Sequence, residues 1–78
     1  MAELKALTDI IAELDVVSDM SSFDSNKSFR DNGIDSLDVM GVFLAVEEKY
    51  GIKFPEAEAL KIDTPIALLD AINHKISG

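Results

Sequence analysis

Apolar residues return at helical spacing in separate stretches of this chain, and that period decides its fold class before any other feature. Leu4, Leu7, Ile10, Ile11 and Leu14 fall at i, i+3, i+6, i+7 and i+10, with Glu3, Asp9 and Glu13 mostly on the opposite face. The spacing predicts an amphipathic helix from Ala2 to about Asp15. A second helix is expected from about Ser36 to Tyr50, closed by Gly51 at the C′ position. Asp63-Thr64-Pro65 reads as a cap followed by proline at the first helical position. Ile66, Leu68, Leu69, Ile72 and Ile76 then give a last helix one shared face. Ile52-Lys53-Phe54-Pro55 is too short for a strand and ends in proline, so Pro55 is read as starting a short helical turn through Leu60. The expectation is an all-α fold, a four-helix bundle of three main helices and one short one, forming a single domain over residues 1–78.

Nothing but a hydrophobic core is on hand to hold it together. Domains of 78 residues often lean on disulfides or a metal. This chain has no cysteine, and His74 alone cannot make a structural zinc site. The 47% apolar content must supply the core. Absence of cysteine fits a reducing cytoplasm. The start, Met1-Ala2-Glu3-Leu4-Lys5, lacks the pattern of a secretory leader, and no stretch is long and apolar enough for a membrane span.

From Val16 to Ile34 the helical period fails. Ser18, Asp19, Ser21, Ser22, Asp24, Ser25, Asn26 and Ser28 favour turns and caps, while Val16, Val17, Met20, Phe23, Phe29 and Ile34 suggest a loop pinned to the core. A connection this long inside a small domain is often functional. It ends in Asp31-Asn32-Gly33-Ile34, where Gly33 suits a tight turn just before the second helix.

At that junction stands Asp35-Ser36-Leu37-Asp38, a hydroxyl between two carboxylates where a turn becomes a helix. Asp35 or Ser36 caps the helix, and Asp35 with Asp38 resembles an acidic capping box. No general base lies near Ser36 in sequence, so it reads as an attachment point and not as a catalytic nucleophile. The helix carries Leu37, Val39, Met40, Val42, Phe43, Leu44, Val46 and Tyr50, more apolar surface than one core-facing stripe needs. Part of that excess should face solvent or a partner.

Charge sharpens the picture. The formal net charge is −8, from 15 acids against 7 bases, which disfavours nucleic acid and anionic membranes and favours basic partner surfaces. Between Arg30 and Lys49 there is no basic residue, while Asp31, Asp35, Asp38, Glu47 and Glu48 are all acidic. Two readings fit these residues equally: a docking surface, and a solvated acidic face that flanks a capping serine. Glu47 and Glu48 are not an acid/base pair, because adjacent helical residues diverge.

The run Asp31-Asn32-Gly33-Ile34-Asp35-Ser36-Leu37-Asp38 resembles the attachment motif of the acyl carrier proteins, D-x-G-x-D-S-L-D. The segment Ala45 to Pro55 resembles that family's helix end and following loop, and Lys61-Ile62-Asp63-Thr64 its turn into the last helix. The similarity spans about residues 4 to 76. It implies a carrier and not an enzyme, with 4'-phosphopantetheine from coenzyme A attached to Ser36 by a phosphopantetheinyl transferase. Acyl intermediates would ride on the arm as thioesters, for fatty-acid or polyketide synthesis. The family's recognition surface maps onto Asp35, Leu37, Asp38, Met40, Leu44, Glu47 and Glu48. The implied partners are a ketosynthase, an acyltransferase and other acyl-processing enzymes with basic docking surfaces, met by a monomeric carrier.

Three residues depart from that family's usual pattern: Gly41 where an acid is common, Lys49 where a third acid is frequent, and Phe43 in place of a smaller aliphatic. Aminoacyl or peptidyl carriers tend to show Gly-Gly-His-Ser or Gly-Gly-Asp-Ser instead. An acidic helical adaptor with an unmodified Ser36 is the reading of a different class.

Overall fold

In the computed structural model, which describes residues 1–77, the first amphipathic stretch forms α1 (Leu4–Glu13). Leu7, Ile10 and Ile11 are buried, whereas Leu4 and Leu14 at the two ends of the same stripe stay exposed. A loop carrying one 3-10 turn (Met20–Ser22) leads to α2 (Ser36–Tyr50), then the single turn α3 (Glu56–Ala59) and α4 (Pro65–Ser77). Four α-helices, with no strand among the described residues, make the expected bundle.

α1 packs against both α2 and α4. Leu7, Ile11, Val42, Val46, Leu68 and Ile72, two from each of the three long helices, have no exposed surface and lie in one contiguous core. Burying each such side chain stabilises the fold by about 1.5–3 kcal/mol, which is how a chain without staples stays folded. α4 departs from its expected face at two positions. Ile66 sits about 100° round the helix from the Pro65–Leu68–Ile72 stripe, and Ile76 extends a turn past the last buried residue, so both are exposed. The two chain ends are tied together: the Ala2 amide donates to Asn73 Oδ1 at 2.7 Å, and Asn73 Nδ2 donates back to the Ala2 carbonyl at 3.1 Å.

The long loop is pinned as its apolar residues suggested. Its backbone meets the start of α4, with the Phe29 N–H donating to the Asp63 carbonyl at 2.8 Å and the Ile66 N–H to the Ser25 carbonyl at 3.0 Å. The second bond satisfies an amide that α4 itself leaves without a partner. Thr64 Oγ1 accepts from the Ala67 N–H at 3.1 Å, so Thr64 caps α4 and Pro65 takes its first position, buried.

Gly33 closes the loop. It stands at φ 82°, with its own N–H donating to the Arg30 carbonyl and the Ile34 N–H reaching back to the Phe29 carbonyl, both at 2.9 Å. That pair of bonds is the Schellman arrangement, which needs a left-handed residue at this point. It turns the chain so that Ile34 is buried and Asp35 emerges at the mouth of α2.

Candidate functional site

Asp35 fixes where α2 begins. Its backbone is extended and its carboxylate accepts from the Asp38 N–H at 2.9 Å. The return bond of a full capping box, from the Asp35 amide to the Asp38 carboxylate, is not made; Asp35 alone does the capping. Ser36 is therefore the first helical residue, exposed, and its hydroxyl makes no hydrogen bond among the described residues. The amides of Ser36 and Leu37 have no acceptor within the helix and lie at the positive end of its dipole. A tetrahedral anion placed at this helix mouth would have donors beside it and an open path to solvent.

A groove of about 820 Å³ opens next to this hydroxyl. One side is α2, through Ser36, Val39, Met40, Phe43, Leu44 and Glu47, and that run of helix is about 16 Å long. The opposite wall comes from Glu56, Ala59, Leu60 and Ile62, with Phe54 at its base. Phe43 is the hub of the floor. Its ring lies edge-on to Phe54, with centroids 5.3 Å apart, and tilted against Phe29 at 6.5 Å.

The residues singled out from sequence divide in two. Ser36, Met40, Leu44 and Glu47 line the groove. Asp35, Leu37, Asp38 and Glu48 do not; Leu37 and Glu48 lie along an adjoining outer stripe of α2, which Leu44 joins to the groove. Leu37, Met40 and Leu44 are 77%, 61% and 63% exposed, which no intramolecular packing explains. Glu47 is only half exposed, because its Oε2 accepts from the Phe54 N–H at 2.7 Å. One of its oxygens thus holds the loop after α2 in place. Glu48 points to solvent.

Sequence reasoning missed the far wall. Leu60 is 78% exposed, and with Ile62 it completes the apolar lining. The available signal was an apolar pair in a segment too short to bury both. Among the described residues no cluster of His, Cys, Asp or Glu could hold a metal ion, and no helix is long and apolar enough to cross a membrane.

A free hydroxyl at a helix mouth, opening onto an apolar groove on an acidic bundle, is the layout of a carrier domain. Residues 5–72 match the family described as "Phosphopantetheine attachment site". An acyl carrier protein from Campylobacter hominis is 37% identical over 95% of this chain and 90% of its own length. An anthracycline acyl carrier protein from a Streptomyces species is 34% identical over 97% and 89%. The actinorhodin polyketide synthase acyl carrier protein of Streptomyces coelicolor is 38% identical over 94% and 84%. The chain belongs to the acyl carrier protein family: it is a carrier, not an enzyme, and bears acyl groups on covalently attached 4'-phosphopantetheine. Members of this family work with a transferase and with synthase and processing enzymes.

Proposed function

We propose that Ser36 is the residue that carries the arm, and that the groove beside it shelters the acyl cargo. The observation that supports this most is the Ser36 hydroxyl, exposed and unbonded, on the rim of the groove. In the attachment step the Ser36 Oγ–P bond forms as the pyrophosphate bond of coenzyme A breaks; the hydroxyl proton leaves and adenosine bisphosphate departs. The chain's own residues then divide the remaining tasks. The amides of Ser36 and Leu37 would offer donors to the phosphodiester, Asp35 holds the helix start in register, and Met40, Leu44, Phe43, Phe54 and Leu60 offer apolar surface. Once attached, the group supplies a terminal thiol that holds acyl chains as thioesters.

Asp35, Leu37, Asp38, Met40, Leu44 and Glu48, with the remaining oxygen of Glu47, form the surface read by partners. Acids flank exposed apolar side chains there, which suits enzymes with basic docking faces: the phosphopantetheinyl transferase first, then a ketosynthase and an acyltransferase. We place the chain, as a single carrier domain over residues 1–78, in the cytoplasm.

The test is intact mass after incubation with coenzyme A and a broad-specificity transferase. A gain equal to the arm is expected, absent in Ser36→Ala. Because Ser36 is exposed and Asp35 is the cap, that variant should keep its stability to within about 0.5 kcal/mol. No gain in the parent chain, or an equal gain in Ser36→Ala, would defeat the assignment.

A further inference from the structure

The wall of the groove opposite α2 is a strap, fixed at both ends and nearly free between them. At one end the Phe54 N–H is held by Glu47 Oε2 at 2.7 Å. At the other the Asp63 carbonyl accepts from the Phe29 N–H at 2.8 Å. Between these anchors, every backbone hydrogen bond of residues 55–62 closes within the strap itself: Glu58 and Ala59 to Pro55, Leu60 to Glu56, Lys61 to Glu58 and Ile62 to Ala59. One hydrogen bond alone, among the described residues, ties the strap to the rest of the protein. Lys75 Nζ on α4 donates to Glu58 Oε2 at 3.0 Å, closing an ion pair. The same ammonium stands 5.1 Å from the centroid of the Phe54 ring, the base of the groove. The Lys75 side chain is 23% exposed and that of Glu58 40%, so solvent screens the pair from the Glu58 side and only in part. Apolar support for the strap is thin: Ala59 and Ile62 pack against the core, while Leu60 hangs out over the groove.

We propose that Glu58 and Lys75 are positioning residues for the cargo: their ion pair latches the 55–62 strap in the closed position and sets how far a chain in the groove is exposed to solvent and to partner enzymes. Neither side chain lines the groove, so the pair acts through the strap residues that do, Glu56, Ala59, Leu60 and Ile62. A partner carboxylate offered to Lys75, or a cation offered to Glu58, would compete for the latch and release the wall. The proposal rests on the groove being the cargo site.

Two readouts separate latch from cargo. On the unmodified chain, amide hydrogen exchange at Leu60, Lys61 and Ile62 should quicken roughly three- to tenfold in Glu58→Gln and Lys75→Met, while amides of Ile11 and Val46 in the core hold their rates. Lys75→Arg, which keeps both the ion pair and the contact with the ring, should restore the parent behaviour. On the chain loaded with an octanoyl thioester, cleavage by neutral hydroxylamine should quicken in the same two variants and not in Lys75→Arg. Equal acceleration at every amide means a general loss of stability and overturns the latch, as does no acceleration at all. Faster strap exchange with unchanged thioester cleavage overturns the positioning role. A chain that takes no cargo on Ser36 defeats the carrier assignment and this proposal with it, whatever the exchange shows.

Discussion

Asp24 and Asn32 exchange two hydrogen bonds across the long loop: the Asp24 N–H donates to Asn32 Oδ1, and Asn32 Nδ2 donates to the Asp24 carbonyl, both at 2.8 Å. The same amide group also reaches the Ser28 carbonyl at 3.0 Å and the Lys27 carbonyl at 3.3 Å. One side chain thereby gathers the turn that delivers the chain to Ser36. Each such bond contributes about 0.5–1.5 kcal/mol net, and three of the four are partly buried, so Asn32→Ala should cost roughly 2–3 kcal/mol. Chemical denaturation measures the loss. Transferase loading of Ser36 should also slow, because the start of α2 loses its fixed approach.

Asp35 has two roles that a single substitution separates. Asp35→Ala removes the acceptor for the Asp38 N–H and should destabilise the protein by about 1 kcal/mol. Asp35→Asn keeps an acceptor oxygen there and removes only the charge, so its stability should match the parent to within a few tenths of a kcal/mol. If Asp35 is read by the basic transferase, Asp35→Asn should still load several-fold more slowly, with the deficit shrinking as salt is raised. Equal loading rates at low salt would confine Asp35 to capping.

How much of this was legible beforehand follows from the range of each interaction. The helices were, since Leu7, Ile10 and Ile11 repeat locally and Gly51 marks a stop by its own backbone freedom. The capping of α2 by Asp35 and the unbonded hydroxyl beside it also lie within a few residues of each other. Asn32 binding Asp24, Glu47 holding Phe54, Lys75 meeting Glu58 and Asn73 clasping Ala2 join positions 7 to 71 residues apart, and no local period announces them. Leu4, Leu14 and Ile76 show the other limit. Each falls on or near an apolar stripe, but at a helix end where no neighbouring element remains to cover it.

Asp19 offers a pH readout remote from the groove. It caps the 3-10 turn, accepting from the Ser21 hydroxyl at 2.6 Å and the Ser21 N–H at 3.0 Å. The hydroxyl bond first and the amide bond second hold its carboxyl below the ordinary aspartate value. A depressed folded pKa means that this contribution to stability is present above the unfolded pKa and lost as pH falls through the folded one. In Ser21→Ala the Asp19 carboxyl signal, followed by NMR, should titrate at a higher pH than in the parent. An unmoved midpoint would exclude the serine hydroxyl as the cause.

Gly41 sits in the middle of α2 with open space around it: a Cβ added there meets nothing within 4 Å. Its backbone is helical, so no turn demands a glycine, and the residue only weakens the helix. Gly41→Ala should stabilise the chain by about 0.5–1 kcal/mol, a rise in Tm of roughly 2–8 °C for a domain of this size. Gly41→Glu finds the same room and adds a carboxylate between Asp38 and Glu48, where the parent surface is apolar, with Leu37, Met40 and Leu44 exposed around it. A ketosynthase that grips its carrier through mid-helix ion pairs should then turn over the Gly41→Glu carrier faster than the parent. The gain should appear in KM and fade at high salt, since an exposed charge acts mainly on encounter. An unchanged rate at low salt would count against the missing mid-helix acid as what sets this carrier's docking face apart.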